Sequence, residues 1–253
     1  MTWSAKQYST FEQERTRPVR DLAAAIPLLQ AASAVDLGCG PGNSTEVLAD
    51  RFPGATVVGV DNSDDMLDAA RERLPAVSFE LSDIATWSPQ APVDVILANA
   101  SLQWVPDHAT LYPRLVRQLA PGGCLAVQTP DNLEEPAHLL ARRIATSQAW
   151  AGKIGAVEIP PRHDGRYYYE SLKPLCATVD VWRTTYLHVL AGPQAVVEWF
   201  KGSALRPYVQ ALDKSDQAAF LAEYLAGVTE AYPALSDGTV LLPFPRLFVV
   251  ATR

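Results

Sequence analysis

Cysteine is scarce in this chain, and the three present (Cys39, Cys124 and Cys176) are an odd number without metal-site spacing. That excludes a disulfide scaffold and a zinc ribbon as organising principles, and the expectation is a reduced, cytoplasmic protein with no metal centre. Long apolar runs are missing too. No stretch reaches the roughly 18 residues of a membrane span, and Met1-Thr2-Trp3-Ser4-Ala5-Lys6 lacks the apolar region of a signal peptide. No membrane partner is expected. Positive charge is in deficit, with 21 Lys and Arg against 28 Asp and Glu, a net charge of −7. No basic run is interleaved with aromatics either, so a nucleic-acid partner is not expected. Internal repeats and low-complexity segments are also absent, and no obligate protein partner is evident.

What is there is a chain of 253 residues, 48% apolar and 19% charged, long enough to bury a proper core. Apolar runs of strand length at 33–37, 56–60, 77–81, 93–98 and 122–128 alternate with helical patterns near 43–52, 64–73 and 107–119. Such alternation predicts an α/β fold with a parallel sheet covered on both faces. Right-handed crossovers then place the carboxyl ends of the strands on one edge, where ligands of open α/β sheets bind. After residue 130 the pattern changes. Helical segments are expected near 136–150, before Cys176, and at 193–201 and 215–231, with long strands over Val179 to Leu190 and Val240 to Thr252.

Val35-Asp36-Leu37-Gly38-Cys39-Gly40-Pro41-Gly42-Asn43-Ser44-Thr45 is the most informative run. An apolar strand ends in Asp, a glycine-studded turn follows, and a helix opens. Glycines let the backbone turn sharply and approach a ligand. The third glycine comes one residue too early for a dinucleotide fingerprint, and Asp36 would repel a pyrophosphate. A pocket for a cationic ligand suits it better. Asp61 ends the next apolar strand, 19 residues after Gly42, where a nucleotide-binding unit uses a carboxylate to hold ribose hydroxyls. Asp83 ends the third. One such acid alone would be read as a cap or turn residue; three on successive strands are hard to explain that way.

Asp-x-Gly-x-Gly-x-Gly resembles the first motif of the class I S-adenosylmethionine-dependent methyltransferases. The resemblance implies a Rossmann-like, mostly parallel seven-stranded sheet whose last strand is antiparallel, with S-adenosyl-L-methionine as cofactor. Asp36, Gly38, Gly40 and Gly42 would meet its methionine end, Asp61 its ribose, and Asp83 with the backbone of Ile84 its adenine. The expected organisation is a single domain over 1–253. An N-terminal helical lid segment takes 1–32, the cofactor-binding core 33–130, and a substrate-side half 131–253, with a helical cap over about 192–234. Tyr8 to Arg17 precedes the first strand, cannot belong to the sheet core, and is expected to fold over the cofactor and exclude water. Cys39 reads as a small packing residue in the turn.

The polar and aromatic run Asn99-Ala100-Ser101-Leu102-Gln103-Trp104-Val105-Pro106-Asp107-His108 follows the fourth strand, where loops carry chemistry. Asn99, Gln103 and Trp104 are expected near the methyl-transfer centre, and Asn99 also beside the cofactor. Asp107 reads as a helix cap, and His108 as general base is the alternative. Arg17, Arg162, Arg166, Arg183, Arg206 and Arg246 lie outside the cofactor core, several flanked by aromatic or proline neighbours. Guanidinium forks bind carboxylates bidentately, which points to a small polycarboxylate acceptor. Arg17, Arg183, Arg206, Arg246 and Tyr168 are the candidates for binding it.

The segments Tyr8 to Pro18, Asn99 to Trp104, Pro130 to Asn132, Asp180 to Tyr186 and Phe244 to Phe248 resemble one family within that class, whose members monoesterify a tricarboxylic acid. That implies a carboxyl O-methyltransferase. A carboxylate is already ionised at pH 7 and needs no general base. Arginines are then expected on the two spectator carboxylates, with neutral donors near the reacting one. The alternatives are methylation of another carboxylate, such as a malonyl thioester on a carrier protein, and a non-catalytic S-adenosylmethionine-binding regulator.

Overall fold

The central apolar runs become strands because they are buried on both faces, whereas Ser78–Leu81 at the sheet edge is mostly exposed. In Val93–Asn99 every residue but Asp94 is covered, so the run cannot alternate polar with apolar. The computed structural model of the chain describes residues 12–160 and 162–253; the part of the expected lid at residues 1–11 lies outside them. In chain order the elements are α1 (Glu12–Ala24), β1 (Ser33–Leu37), α2 (Asn43–Arg51), β2 (Thr56–Asp61), α3 (Asp64–Arg73), β3 (Ser78–Leu81), β4 (Val93–Asn99), α4 (His108–Arg117) and β5 (Leu119–Pro130). There follow α5 (Pro136–Ala145), α6 (Ala151–Ile154), α7 (Gly165–Leu172), β6 (Thr178–Leu190), α8 (Pro193–Lys201), α9 (Arg206–Gln210), α10 (Lys214–Ala231) and β7 (Val240–Thr252).

The strands form one seven-stranded sheet in the order β3-β2-β1-β4-β5-β7-β6. Strands β1 to β5 pair in parallel, and β7 runs antiparallel to β5 from Cys124↔Thr252 to Pro130↔Arg246. The expected mostly parallel sheet with an antiparallel last strand is therefore present. Two boundaries differ from expectation. Strand β5 starts at Leu119 because Pro121-Gly122-Gly123 is absorbed by a register shift against Val93 to Val95. The helix expected over 136–150 stops at Ala145, where the Thr146 hydroxyl donates to the Arg142 carbonyl at 2.8 Å; α6 follows as a separate turn.

Contacts divide the chain into two compact units. The first takes the described residues up to Pro130 together with 160–184 and 246–253. Its core joins Val35, Leu37, Ile96, Leu111, Leu115, Leu125, Val127 and Val249 from strands and helix α4. Asp107 caps α4 by accepting from Thr110 N–H at 3.3 Å, in the role expected of it. The second unit takes 131–159 and 185–245. It is built on α10, capped by Asp213 and burying Phe220, Tyr224 and Val228. The Tyr224 hydroxyl donates to Ala137 O at 3.1 Å, and Trp150 Nε1 to Glu223 Oε2 at 2.7 Å. No described helix is long and apolar enough to cross a membrane. All three cysteines are buried free thiols.

Candidate functional site

The glycine turn after β1 is held down before any ligand is considered. Gly38 and Cys39 N–H both donate to the Val60 carbonyl, at 2.7 and 3.0 Å, so the turn hangs from the end of β2. Gly38 has φ +75°, and a Cβ there would lie 2.3 Å from Ser101 Cβ and 3.3 Å from Ile84 Cδ1. Only glycine allows that conformation and that approach. The loops after β1, β3 and β4 thus converge at Gly38, and Ser101 Oγ donates to Leu37 O at 2.6 Å to lock two of them. Gly40 and Gly42 also have positive φ, and the space beside Gly40 is open.

The acids sit around this turn. Asp61 Oδ2 accepts from Gly40 N–H at 2.9 Å and Oδ1 from Ser63 N–H at 3.0 Å. Burial raises its pKa against those N–H contacts. A carboxylate has about four acceptor positions, so capacity for hydroxyls remains. Asp36 is completely buried. Its Oδ2 accepts from the Ser44 and Thr45 hydroxyls, both at 2.7 Å, and Oδ1 has no hydrogen-bond partner. Burial pushes its pKa up to about 6, the two hydroxyls oppose this, and the charge of Asp61 adds to it. Asp83 is exposed and accepts from Ala85 N–H at 2.8 Å. Its loop is held from outside: Arg114 of α4 donates to the carbonyls of Ile84, at 2.7 Å, and Trp87. Sequence reasoning missed Arg114, which has no motif around it.

The loop after β4 is equally constrained. Ala100 has φ +53°, a conformation costly for a residue with a Cβ. It is held there because its N–H donates to Gln128 O at 2.8 Å and its carbonyl accepts from Gln103 Nε2 at 2.6 Å. Asn99 and Gln103 are buried, and their side-chain oxygens Oδ1 and Oε1 have no hydrogen-bond partner. Trp104 is 47% exposed, with the Arg162 guanidinium 5.9 Å from its ring centre. Arg162 also donates to Gln103 O at 3.1 Å.

His108 is committed to structure at both ring nitrogens. Nε2 faces the Leu102 carbonyl at 2.9 Å, a group that only accepts, so Nε2 carries the proton. Nδ1 therefore accepts from the Tyr168 hydroxyl at 2.7 Å. Burial, foremost, lowers the His108 pKa and favours this neutral form. Tyr168, expected at the substrate, is 2% exposed and spends its hydroxyl proton on His108.

The arginines separate by environment. Arg246 is 4% exposed, and its Nη1 donates to Gln128 Oε1 at 3.0 Å. Arg17 on α1 and Arg183 on β6 are exposed. Arg206, half-buried at the start of α9, belongs to the second unit. Gln128 was not anticipated. Its signal was present as the one amide in the apolar run Leu125-Ala126-Val127-Gln128.

Around the turn the side chains offered are acceptors: Asp36 Oδ1, Asp61 and Asn99 Oδ1, two of them buried without partners. That set fits a cationic, ribose-bearing ligand such as S-adenosylmethionine, and offers nothing to a pyrophosphate. Among the described residues no group of three or more His, Cys, Asp or Glu could hold a metal ion.

Comparison with known proteins agrees with this geometry. A family described as "Methyltransferase domain" matches residues 34–123. Proteins named trans-aconitate 2-methyltransferase from Methylobacterium nodulans and Variovorax paradoxus are each 54% identical to the chain. The first covers 99% of this chain and 98% of its own length, the second 100% and 99%. Among solved structures, a SAM-dependent methyltransferase from Thiobacillus denitrificans, in complex with S-adenosyl-L-homocysteine, covers all of both chains at 20% identity with a TM-score of 0.56. The YcgJ protein of Bacillus subtilis covers 95% of this chain at 10% identity and a TM-score of 0.61, which again shows the fold. The chain belongs to the trans-aconitate 2-methyltransferase family of class I S-adenosylmethionine-dependent methyltransferases.

Proposed function

We propose that this protein forms the monomethyl ester of trans-aconitate, acting as a carboxyl O-methyltransferase in the reducing cytoplasm. The observation that carries the reading is the extent of the likeness. Alignments at 52–54% identity overall cover 99–100% of the chain, including residues 124–253 beyond the generic methyltransferase match, to relatives that bear this substrate in their names. The cofactor half alone would leave the acceptor open.

Asp36, the glycine turn and Asn99 would hold the methionine end of S-adenosylmethionine, Asp61 the ribose, and Asp83 with Ile84 the adenine. When bound, the cofactor supplies a methyl on a cationic sulfur; the new O–CH3 bond forms as the C–S bond breaks, its electron pair stays on sulfur, and no proton is released. A carboxylate nucleophile is ionised at neutral pH, so the protein needs no general base. The engagement of both His108 nitrogens supports this. What the protein must supply is alignment, a contribution of about 7–11 kcal/mol in well-oriented systems.

Transfer neutralises both reacting charges. An arginine gripping the reacting carboxylate would therefore favour the ground state over the transition state. Arginines belong on the two spectator carboxylates, with Arg17, Arg183 and Arg206 the candidates; Arg246, expected among them, is buried against Gln128. Neutral amides, Asn99 and Gln103, belong near the reacting one, with Trp104 as a wall. Tyr168 acts at one remove, by fixing His108 and through it the Leu102 carbonyl.

The test is to incubate purified protein with methyl-labelled S-adenosylmethionine and trans-aconitate, cis-aconitate, isocitrate, citrate and a malonyl thioester. A base-labile methyl ester formed on trans-aconitate well above the others is expected. Preferred transfer to the thioester, or cofactor binding without transfer to any acceptor, would overturn the substrate assignment.

A further inference from the structure

We infer that Gln128 is the hydrogen-bond donor to the reacting carboxylate, and that Arg246 is a positioning residue that aims it. The inference rests on the carboxyl-methylation reading above. Strand register places the residues. Gln128 of β5 lies opposite Asn99 of β4 and opposite Phe248 of β7, with Arg246 two residues from Phe248. Directly paired residues project from one face of a sheet, as do positions two apart on a strand. Asn99, Gln128, Phe248 and Arg246 therefore share a face, at the carboxyl ends of β4 and β5. Trp182 stacks on Phe248 with ring centres 4.7 Å apart, which puts an apolar surface beside the amides.

Arg246 settles which way the Gln128 amide points. A guanidinium has only donors, so the atom 3.0 Å from Nη1 is the oxygen. The amide nitrogen must then face away from Arg246. That nitrogen is buried, in a side chain with no exposed surface, and has no hydrogen-bond partner. Buried amide N–H groups in folded proteins are nearly always bonded. Across the ladder, Asn99 Oδ1 is a buried acceptor, also without a partner. Residues paired across the ladder thus present one unbonded donor and one unbonded acceptor. A carboxylate satisfies the first and the cationic end of the methyl donor the second. These are the two reactants that must meet.

The chemistry explains why an amide stands there with the arginine behind it. A neutral N–H orients the oxygen without clamping the charge that transfer removes. The guanidinium on Oε1 polarises the amide and strengthens its N–H donors. Arg246 thereby acts on the nucleophile through Gln128.

Gln128→Glu is the decisive variant, because it keeps an acceptor for Arg246 and replaces the donor by an acceptor. Steady-state kinetics with trans-aconitate, calorimetric binding of S-adenosyl-L-homocysteine and thermal melts are compared with the wild type. A fall in kcat/KM of at least 100-fold is expected, with homocysteine-product affinity within threefold and no loss of Tm. A purely structural Gln128 predicts kcat/KM within threefold, and that result overturns the inference. Should the variant not fold, Gln128→Asn, whose amide is withdrawn by one methylene, is expected to lose about tenfold; full activity there also overturns it. Arg246→Lys tests positioning. A kcat lowered about tenfold at unchanged KM for trans-aconitate is expected, whereas a raised KM at unchanged kcat would make Arg246 a direct ligand of a spectator carboxylate. Wild-type protein that binds S-adenosyl-L-homocysteine but esterifies no carboxylate would remove the functional reading and this inference together. Active wild type with an active Gln128→Glu variant removes the inference alone.

Discussion

At the ends of β1 and β2 the contacts of the carboxylates close over short stretches of chain. Asp36 meets Ser44 and Thr45 eight and nine residues on, and Asp61 meets Gly40 across 21. At the ends of β4 and β5 the comparable contact, Arg246 to Gln128, spans 118 residues. The two parts also differ in chemistry. One is made of carboxylates braced by hydroxyl and backbone donors of the glycine turn and the segments beside it, the other of neutral amides; buried unbonded atoms occur in both. A cofactor shared by many enzymes can be held by a local motif. On the function proposed above, an acceptor particular to one family would be held by groups that only the completed sheet brings together.

The comparison can be broken hardest at Gly38. Gly38→Ala puts a Cβ into the space of Ser101 Cβ and holds an alanine at φ +75°. The conformation costs about 1–2 kcal/mol and the forced separation of the loops about 1–3 kcal/mol more. Binding of S-adenosyl-L-homocysteine, measured by calorimetry, is expected to weaken at least 100-fold. Retained affinity would show that the turn is not the rigid part.

Asp36 sharpens the comparison through pH. Its folded pKa of about 6 lies above the ordinary 3.8. Between those values the folded chain keeps a proton that the unfolded chain has released, so stability falls as pH rises from about 4 to 6 and stays reduced above. The loss is on the order of 3 kcal/mol. Denaturant titrations of ligand-free protein at pH 4.5 and 7 should show it, and Asp36→Asn should remove that part of the slope. Equal slopes in the two proteins would mean that Asp36 is not charged at a cost.

Arg183 provides the small effect. It is exposed on β6, and an exposed charge contributes about 1 kcal/mol or less. Arg183→Ala is expected to raise KM for trans-aconitate no more than about fivefold with kcat unchanged. A loss as large as that of Gln128→Glu would shift the centre of substrate binding to β6.

Those expectations mark what could be read from residue order. The strands, their parallel pairing and the converging acids were legible because each rests on local periodicity and a nearby turn. The arginines were only half legible. An aromatic neighbour suggests an arginine drawn towards a buried face, but adjacent residues on a strand face opposite ways, so Trp182 packing on Phe248 sends Arg183 out. The same neighbour rule succeeded for Arg246 because β7 lies inside the sheet, where both faces are covered from Arg246 to Ala251. The Tyr168 hydroxyl bond to His108 was not legible, because nothing around Tyr168 announces a histidine 60 residues earlier. Gln128 passed as part of a strand, its partner being on the last one.

Ser101 and Gly38 bear on inheritance as well as on binding. The Gly38 backbone and the Ser101 side chain lie so close that position 38 cannot gain a side chain alone. Any side chain at 38 would demand that 101 give up its own, and with it the hydroxyl that ties the fourth strand's loop to Leu37. The loop after β1 and the loop after β4 are therefore joined at a point where a side chain at 38 has no room. Any change of acceptor would have to leave this junction in place and alter residues away from it.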